Sequence, residues 1–282
     1  MPDTHPYDVV IAYRIYPGVS KTPFIFQNDK LMLTEVGVRT LQQSLGGMHA
    51  KIFFLLDNCP PDYKSMIQKY FPDEDIVFLD YPGIGNLATF KKQVELLLEQ
   101  NFSEVVMFAE DDYVYRTGEL RKAIQILKNN QQMGFVTPYD HLDSYLLPIH
   151  TKHRYKIISG EGLHWRTSAS TCLTFLTSKE ILQKTRKTFL TYSNGNWDSS
   201  LWFSITGFNI FSLSALGYLF SDQFLFKIIA KSWLYSPLQN LLGKKYSLWQ
   251  PMPSIATHME KISLAPNVDW NRVVDESNQA RL

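Results

Sequence analysis

The sequence predicts an α/β fold with a mostly parallel central sheet, and three observations support this prediction. Short apolar runs alternate with amphipathic helical segments up to about residue 140, as in a doubly wound sheet with right-handed crossovers. The runs are continuously apolar, which is typical of strands covered on both faces. Polar residues follow the runs directly, at the sheet edge where ligands of such folds bind.

Five strands are predicted in the first half of the chain, each from one apolar run. They cover residues 9–12, 52–56, 76–79, 105–109 and 134–137. The third is followed by the loop 80–86, which contains a Gly-x-Gly pattern. That pattern alone is weak evidence for a phosphate contact.

Helices are predicted between the strands, because apolar residues recur there on one helical face. The clearest helix precedes the fourth strand and has on that face Leu87, Phe90, Val94, Leu97 and Leu98. Another covers residues 31–45 and ends at Gly46 and Gly47, a third opens at Pro60, and a fourth covers residues 120–127.

Beyond residue 140 the regular alternation ends. We therefore divide one continuous domain into a regular half, residues 1–140, and a less regular half, residues 141–282. In the second half, residues 171–177 alternate like a half-buried strand, and Ser178 is placed to cap the following helix. The chain from Asn267 onward is expected to form a loosely held tail.

Charge and cysteine content exclude several classes of protein. The 282 residues carry 28 Lys and Arg against 27 Asp and Glu, so no nucleic-acid footprint is expected. Cys59 and Cys172 form neither a disulfide framework nor a metal pattern. Because the N-terminus also lacks a basic and then apolar segment, we predict a cytoplasmic protein without a signal peptide.

The longest apolar region, residues 205–220, is interrupted by polar side chains and is short for a bilayer span. We predict a buried helix there. The residues that follow mix aromatic side chains with lysines. Two interpretations stay open: peripheral contact with the inner face of a membrane through residues 205–245, or a helix that only caps the core.

Three consecutive carboxylates follow the fourth strand, in the segment EVVMFAEDDYVY. Glu110, Asp111 and Asp112 repel one another, so their clustering costs stability unless a cation or hydrogen-bond donors compensate. Residues i and i+2 of an extended chain point the same way, so Glu110 and Asp112 can face one hard cation. The alternative is a solvated turn or the N-cap of the next helix.

Together, the regular α/β half, the acidic cluster and the less regular second half resemble the GT-A glycosyltransferases, most closely family 2 and its near relatives. The resemblance covers about residues 7–260. The Glu110-Asp111-Asp112 triplet is similar to the DxD motif in its EDD form, as in N-acetylglucosaminyltransferase I, although the first acid of other GT-A enzymes is Asp. It implies that Asp112 binds Mn²⁺ or Mg²⁺ and that Glu110 and Asp111 contact the ribose and sugar of the donor. Residues 1–140 would then bind the nucleotide sugar and residues 141–282 the acceptor.

The same resemblance implies further donor-site residues. His258 stands where the family often has another metal ligand, although it could equally hydrogen-bond a loop. Asp57 would accept the ring N–H of the base and Arg14 would contact the base, unless Asp57 caps the helix near residue 60 and Arg14 is a surface charge. Ala12, at the end of the first strand, and Asn86, in the glycine loop, complete the predicted nucleotide-sugar site.

Transfer to a hydroxyl group needs a general base, and the resemblance favours Asp198. Asp198 follows a Gly/Asn-rich turn in NGNWDSSLW, at a predicted helix start, so an N-cap role is the competing interpretation. Trp197, Trp202 and Trp165 are candidates either for an acceptor-sugar platform or for the core.

These inferences predict a metal-dependent, inverting glycosyltransferase of glycan or polysaccharide biosynthesis. It would move a sugar from a nucleotide diphosphate sugar, with UDP favoured, to a glycan or lipid-linked acceptor. A sugar-1-phosphate nucleotidyltransferase shares the sheet and the metal, but the segment IAYRIYPG lacks the Gly-rich loop such an enzyme needs. A non-catalytic sugar- or nucleotide-binding protein on the same fold stays open.

Overall fold

The predicted α/β class is confirmed by the computed structural model, which describes residues 5–19, 22–130, 132–147, 150, 154–208, 210–211 and 222–279. A large central sheet is covered on both faces. Alternate residues of the first strand join two separate apolar clusters, Val9 and Ile11 on one face and Val10 and Ala12 on the other. This explains why the strands of the first half are continuously apolar.

Strands and helices alternate as predicted through the first half. The strands are β1 Val9–Ile15, β2 Ala50–Asp57, β3 Ile76–Tyr81, β4 Val105–Glu110, β5 Tyr113–Tyr115, β6 Phe135–Val136, β7 Ile157–Gly160, β8 Leu163–Ser168, β9 Phe175–Ser178, β10 Leu248–Met252 and β11 Ala256–His258. The helices are α1 Lys30–Ser44, α2 Asp62–Ile67, α3 Gly85–Glu99, α4 Leu120–Asn129, α5 Asp143–Leu146, α6 Lys179–Leu190, α7 Asp198–Thr206, α8 Gln223–Tyr235, α9 Pro237–Leu241 and α10 Trp270–Gln279.

The central sheet is parallel in its first half and mixed in its second. Among the described residues, nine strands follow the order β3-β2-β1-β4-β9-β6-β10-β8-β7. The first four are parallel as predicted. However, β9 lies antiparallel between β4 and β6, and β8 lies antiparallel between β10 and β7. All nine strands except β8 and β9 therefore run in one direction, so the predicted mostly parallel sheet is confirmed.

An aromatic cluster packs around β9, the strand inserted between β4 and β6. Phe108 of β4 stacks on Phe175 of β9 with ring centroids 4.6 Å apart. Phe135 of β6, Phe189 of α6 and Trp202 of α7 pack around this pair, and all five side chains are fully buried. Burial of such large rings is a major stabilising contribution to the fold. Trp202 therefore belongs to the core, and its interpretation as part of an acceptor platform is wrong.

The C-terminal residues form a packed helix, so the expected loose tail is wrong. Trp270 and Val274 of α10 are buried. Ser277 also receives hydrogen bonds from α1, through its hydroxyl from Arg39 at 3.1 Å and through its carbonyl from Gln43 at 3.0 Å. Trp270, Val273 and Val274 share one helical face, so the sequence carried a helical pattern that the prediction did not use.

The predicted buried helix over residues 205–220 is not seen as one element. α7 ends at Gly207, whose φ of +78° is favoured by glycine. Residues 209 and 212–220 lie outside the described residues. No helix of the described segments combines the length and the apolar character needed to cross a membrane.

Ser178 caps α6 as the sequence predicts, because its side chain accepts the N–H of Ile181 at 3.2 Å. We expect Ser178→Ala to lower the free energy of unfolding by about 1 kcal/mol, since this N–H loses its acceptor. Chemical denaturation measures the change. Ser178→Asp keeps an acceptor oxygen and should retain most of the stability; equal losses in both variants would contradict the capping role.

Candidate functional site

A cavity of about 420 Å³ opens at the carboxyl ends of β1, β2 and β4, beside the start of α3. Its volume lies in the range of small-molecule sites, and its place is where ligands of open α/β sheets bind. Six of the nine predicted site residues line it, namely Arg14, Asp57, Asn86, Glu110, Asp111 and Asp112. The sequence therefore located this edge of the sheet correctly.

Arg14 joins β1, β4 and α3 at the cavity wall. β1 and β4 are paired with Arg14 opposite Glu110, and Arg14 Nη2 donates to Glu110 Oε1 at 2.6 Å. Nη1 donates to the carbonyl of Asn86 at 3.1 Å and to its side-chain oxygen. Arg14 is only 7% exposed, so the surface-charge interpretation is wrong. Its guanidinium neutralises Glu110.

Asp57 organises the glycine loop before α3. Its Oδ1 accepts the N–H groups of Gly83 and Ile84 at 2.9 and 2.7 Å, and its Oδ2 accepts the N–H of Gly85 at 2.8 Å. It thus caps the start of α3 and not the helix near residue 60. A carboxylate offers about four lone-pair sites, so Oδ2 keeps one for a ligand. Recognition of a nucleobase by Asp57 stays a prediction.

Asp111 is fixed by the loop after β1 and by α1. Its Oδ2 accepts the N–H of Tyr16 at 2.9 Å, and Lys30 Nζ lies 2.9 Å from its Oδ1. Burial raises the pKa of Asp111, and the charge of Lys30 opposes that rise. Lys30 was not among the predicted site residues. A lysine in the first turn opposes the helix dipole, and this mismatch is the signal that could have identified it.

Asp112 meets His258 through a second, two-stranded sheet. β5 pairs antiparallel with β11, with Tyr113 opposite His258, and His258 Nε2 lies 3.0 Å from Asp112 Oδ2. Burial works against the charged carboxylate, but His258, Lys30 and Arg14 outweigh it and lower the pKa of Asp112 to about 2. Asp112 Oδ1 is buried and has no hydrogen-bond partner among the described residues.

Asp112 is better suited to a divalent cation than His258. Its Oδ1, without a partner among the described residues, is a carboxylate oxygen, the kind of ligand that Mg²⁺ and Mn²⁺ prefer. His258 Nδ1 accepts the N–H of Glu260 at 3.1 Å, so the proton of the neutral ring lies on Nε2, toward Asp112. A histidine that binds a metal through one ring nitrogen usually donates a hydrogen bond from the other, whereas Nδ1 of His258 accepts one. These bonds suit His258 to orienting Asp112, and its role as a ligand stays a prediction.

The described residues supply few protein ligands for a metal. They contain no cluster of three or more His, Cys, Asp or Glu side chains suited to holding one. A cation at Asp112 would therefore take most of its ligands from a bound molecule or from water, as Mg²⁺ does in many phosphate-containing sites.

Asp198 lies near the cavity without lining it. Trp197, not Asp198, is the N-cap of α7, and Asp198 Oδ1 accepts the N–H of its neighbour Ser199 at 2.6 Å. Burial raises the pKa of Cys172, and the charges of Asp198 and Glu110 add to the rise. Both carboxylates are therefore within electrostatic range of this thiol.

Three of the predicted residues are fully buried and do not line the cavity, and Asp198, His258 and Trp197 do not line it either. Ala12 is fully buried within β1, and its carbonyl accepts a hydrogen bond from Gln93 at 2.7 Å. Trp165 and Trp202 are also fully buried. Trp197 alone of the three tryptophans is partly exposed, so it alone stays a candidate for an acceptor contact.

Two residues of the second half hydrogen-bond to residues that line the cavity, and the sequence analysis missed both. Thr174 Oγ1 donates to Glu110 Oε2 at 3.2 Å, and Asn86 Nδ2 donates to the hydroxyl of Tyr192 at 3.0 Å. Thr174 reaches the site because β9, which follows it, is inserted beside β4. Tyr192 reaches it from the turn after α6. No local pattern marks them, because neither lies at a predicted strand end.

The chain was compared with known proteins. No family model matches the sequence, and no curated protein matches it. Among solved structures, the galactosyltransferase LgtC in complex with donor and acceptor sugar analogues is 10% identical, with a TM-score of 0.47 over 96% of this chain and 95% of that chain. The mannosyltransferase PcManGT from Pyrobaculum calidifontis, in complex with GDP-Man and Mn²⁺, is 13% identical, with a TM-score of 0.40 over 65% of this chain and 48% of that chain.

A third solved structure has a different activity. CMP:2-keto-3-deoxy-manno-octonic acid synthetase complexed with CTP is 11% identical, with a TM-score of 0.41 over 71% of this chain and 86% of that chain. This chain thus spans about half the length of the mannosyltransferase and most of the synthetase. Similarity at this level assigns no activity, which has to be argued from the residues of this chain.

Proposed function

We propose that this chain is a metal-dependent glycosyltransferase that moves a sugar from a nucleotide diphosphate sugar to a hydroxyl group. The different pairing of the three adjacent carboxylates is the observation that carries the proposal. Glu110 is paired with Arg14 and Asp111 with Lys30. Asp112 keeps a buried oxygen without a partner among the described residues. Asp112 lines the cavity, so this oxygen is the ligand that we propose for a cation.

The charge balance of the wall supports a requirement for metal. Four carboxylates, those of Asp57 and of the acidic triplet, lie beside two cationic side chains. An anionic diphosphate alone would be repelled by this net negative charge. A divalent cation near Asp112 reverses the balance and, when bound, stabilises the negative charge of the departing nucleoside diphosphate.

We assign the acceptor side to Asp198 and Trp197. In the transfer, the acceptor oxygen forms a bond to the anomeric carbon while the bond to the diphosphate breaks, and the hydroxyl proton must be accepted by a base. Asp198 does not line the donor cavity, and both Asp198 and Glu110 act electrostatically on Cys172, so we infer that Asp198 serves as the base from the acceptor side. Single displacement from this side inverts the anomeric configuration. The acceptor would be a glycan or a lipid-linked sugar.

The proposal is tested by thermal unfolding against UDP, GDP, CDP and ADP, each with and without Mn²⁺. We expect one diphosphate to raise Tm by about 5–10 °C only when Mn²⁺ is present. A ligand at a hundred times its Kd stabilises the folded state by about 2.7 kcal/mol, and a chain of this size gains a few degrees per kcal/mol. The responding nucleotide would also name the donor.

Three outcomes would change the assignment. A larger shift with a nucleoside triphosphate than with the diphosphate would favour a sugar-1-phosphate nucleotidyltransferase. A metal-dependent shift without donor hydrolysis or transfer to any acceptor would favour a non-catalytic binding protein. Absence of a shift with every nucleotide would contradict a donor site in the cavity.

A further inference from the structure

Four exposed leucines form an apolar patch at the end of α8 and on α9. Leu234, Leu238, Leu241 and Leu242 are 74%, 69%, 60% and 82% exposed. A single exposed leucine is ordinary, but four within nine residues of the chain point to an interaction surface. We call these four residues the leucine patch. None of them lines the cavity.

α8 is fixed to the protein by its other face. Leu225, Ile228 and Ile229 are buried in an apolar cluster that also contains Phe203 of α7. Leu234 therefore projects from a helix that is already packed, and its exposure is not the result of a missing core contact. The helix is anchored, and one of its faces is left for a partner.

The segment around the patch is basic. From Asp222 to Tyr246 it has four lysines and one acid, whereas the whole chain is nearly neutral. The acid, Asp222, is the N-cap at the other end of α8. Lys227 and Lys244 are exposed, and Lys227 lies two helical turns before Leu234, on the same face of α8. Lys227 therefore adds positive charge to the exposed face of α8, and Lys244 follows Leu242 by two residues, with its ammonium 5.3 Å from the centroid of the Tyr246 ring.

This combination of side chains favours a bilayer over a second copy of the chain. A symmetric dimer would bring two copies of the same patch together, and the positive charge of both copies would then meet at one interface, which is unfavourable. An anionic bilayer offers an apolar boundary to leucines and negative headgroups to lysines. Since no described helix is suited to crossing a membrane, the contact would be peripheral.

We propose that the leucine patch docks this protein on an anionic lipid surface. The four leucines enter the boundary between headgroups and acyl chains, and Lys227 and Lys244 contact the headgroups. The proposal does not depend on the proposed reaction, because the patch shares no residue with the cavity.

Co-sedimentation with vesicles tests the proposal. We expect the wild type to bind vesicles of phosphatidylcholine mixed with phosphatidylglycerol, and to bind vesicles of phosphatidylcholine alone at least ~10-fold more weakly. The double substitution Leu238→Glu with Leu242→Glu should weaken binding to the anionic vesicles by at least ~10-fold, because two apolar side chains are lost from the bilayer. Lys227→Gln with Lys244→Gln should weaken it by about 10-fold or more.

A matched control is Ile262→Glu, because Ile262 is 76% exposed and lies outside the patch. It should bind vesicles as the wild type does, and all variants should keep the wild-type Tm. The proposal fails if the wild type does not bind anionic vesicles, or if Ile262→Glu weakens binding as much as the patch variant. It also fails if sedimentation velocity shows a dimer that the patch variant dissociates, since the patch would then be an interface between copies.

Discussion

Replacing Asp112 with asparagine is expected to abolish metal-dependent donor binding and to reduce sugar transfer by at least ~100-fold. The amide removes the negative charge that a divalent cation requires, and changes in partners outside the metal's own ligands already cost about 10- to 100-fold in other sites. The fold should persist, because the amide oxygen can still accept the hydrogen bond from His258 Nε2, 3.0 Å from Asp112 Oδ2. Thermal shift with the responding nucleotide and Mn²⁺ measures the loss.

The matched control is Asp80→Asn. Asp80 also lies near the end of a parallel strand, but it is 62% exposed and pairs with Lys64 at the surface, where such pairs contribute little. This variant should keep both the metal-dependent shift and the transfer activity. A full metal-dependent shift in the Asp112→Asn variant would mean that the acidic triplet does not bind the cation.

Replacing Asp198 with asparagine is expected to reduce sugar transfer by about 10²- to 10⁴-fold, which is the usual contribution of a general base. Donor binding should not change, because the side chain does not line the cavity. The amide oxygen can still accept the N–H of Ser199, so the start of α7 should stay intact. Steady-state transfer rates and the donor-induced Tm shift, measured on the same preparation, separate the two effects.

Asp222→Asn is the control for this second substitution. Asp222 also stands at a helix start, where it accepts the N–H of Leu225 at 3.0 Å, and an asparagine can keep that bond. Transfer by this variant should equal that of the wild type. If the Asp198→Asn variant loses donor binding as well as transfer, Asp198 acts on the donor; if it loses neither, another group is the base.

The first half of the fold could be predicted because its sequence signals are local. β1 to β4 are continuous apolar runs, and α3 has regularly spaced apolar residues. Parallel strands end at a common edge of the sheet, so the residues after each run were expected to lie together. Arg14, Asp57 and Glu110 line one cavity for this reason.

The second half could not be predicted in the same way. A strand was predicted over residues 171–177 and β9 covers Phe175–Ser178, but its place between β4 and β6, which lie far away in the chain, could not be predicted. Strands of this kind depend on contacts across the core, such as the stacking of Phe175 on Phe108. α10 has apolar residues at helical spacing, Trp270, Val273 and Val274, but its packing on α1 is visible only in the tertiary structure.

The sequence by itself determined the α/β class, the edge of the sheet that holds the cavity, and the three carboxylates at that edge. Only the tertiary structure shows how each of them is paired. Glu110 is paired through the register of β1 and β4, and Asp111 is paired by a lysine that begins α1. Asp112 keeps an oxygen without a described partner, although β11 brings His258 to its side. These contacts join residues far apart in the chain, so they form only when the strands and helices pack together.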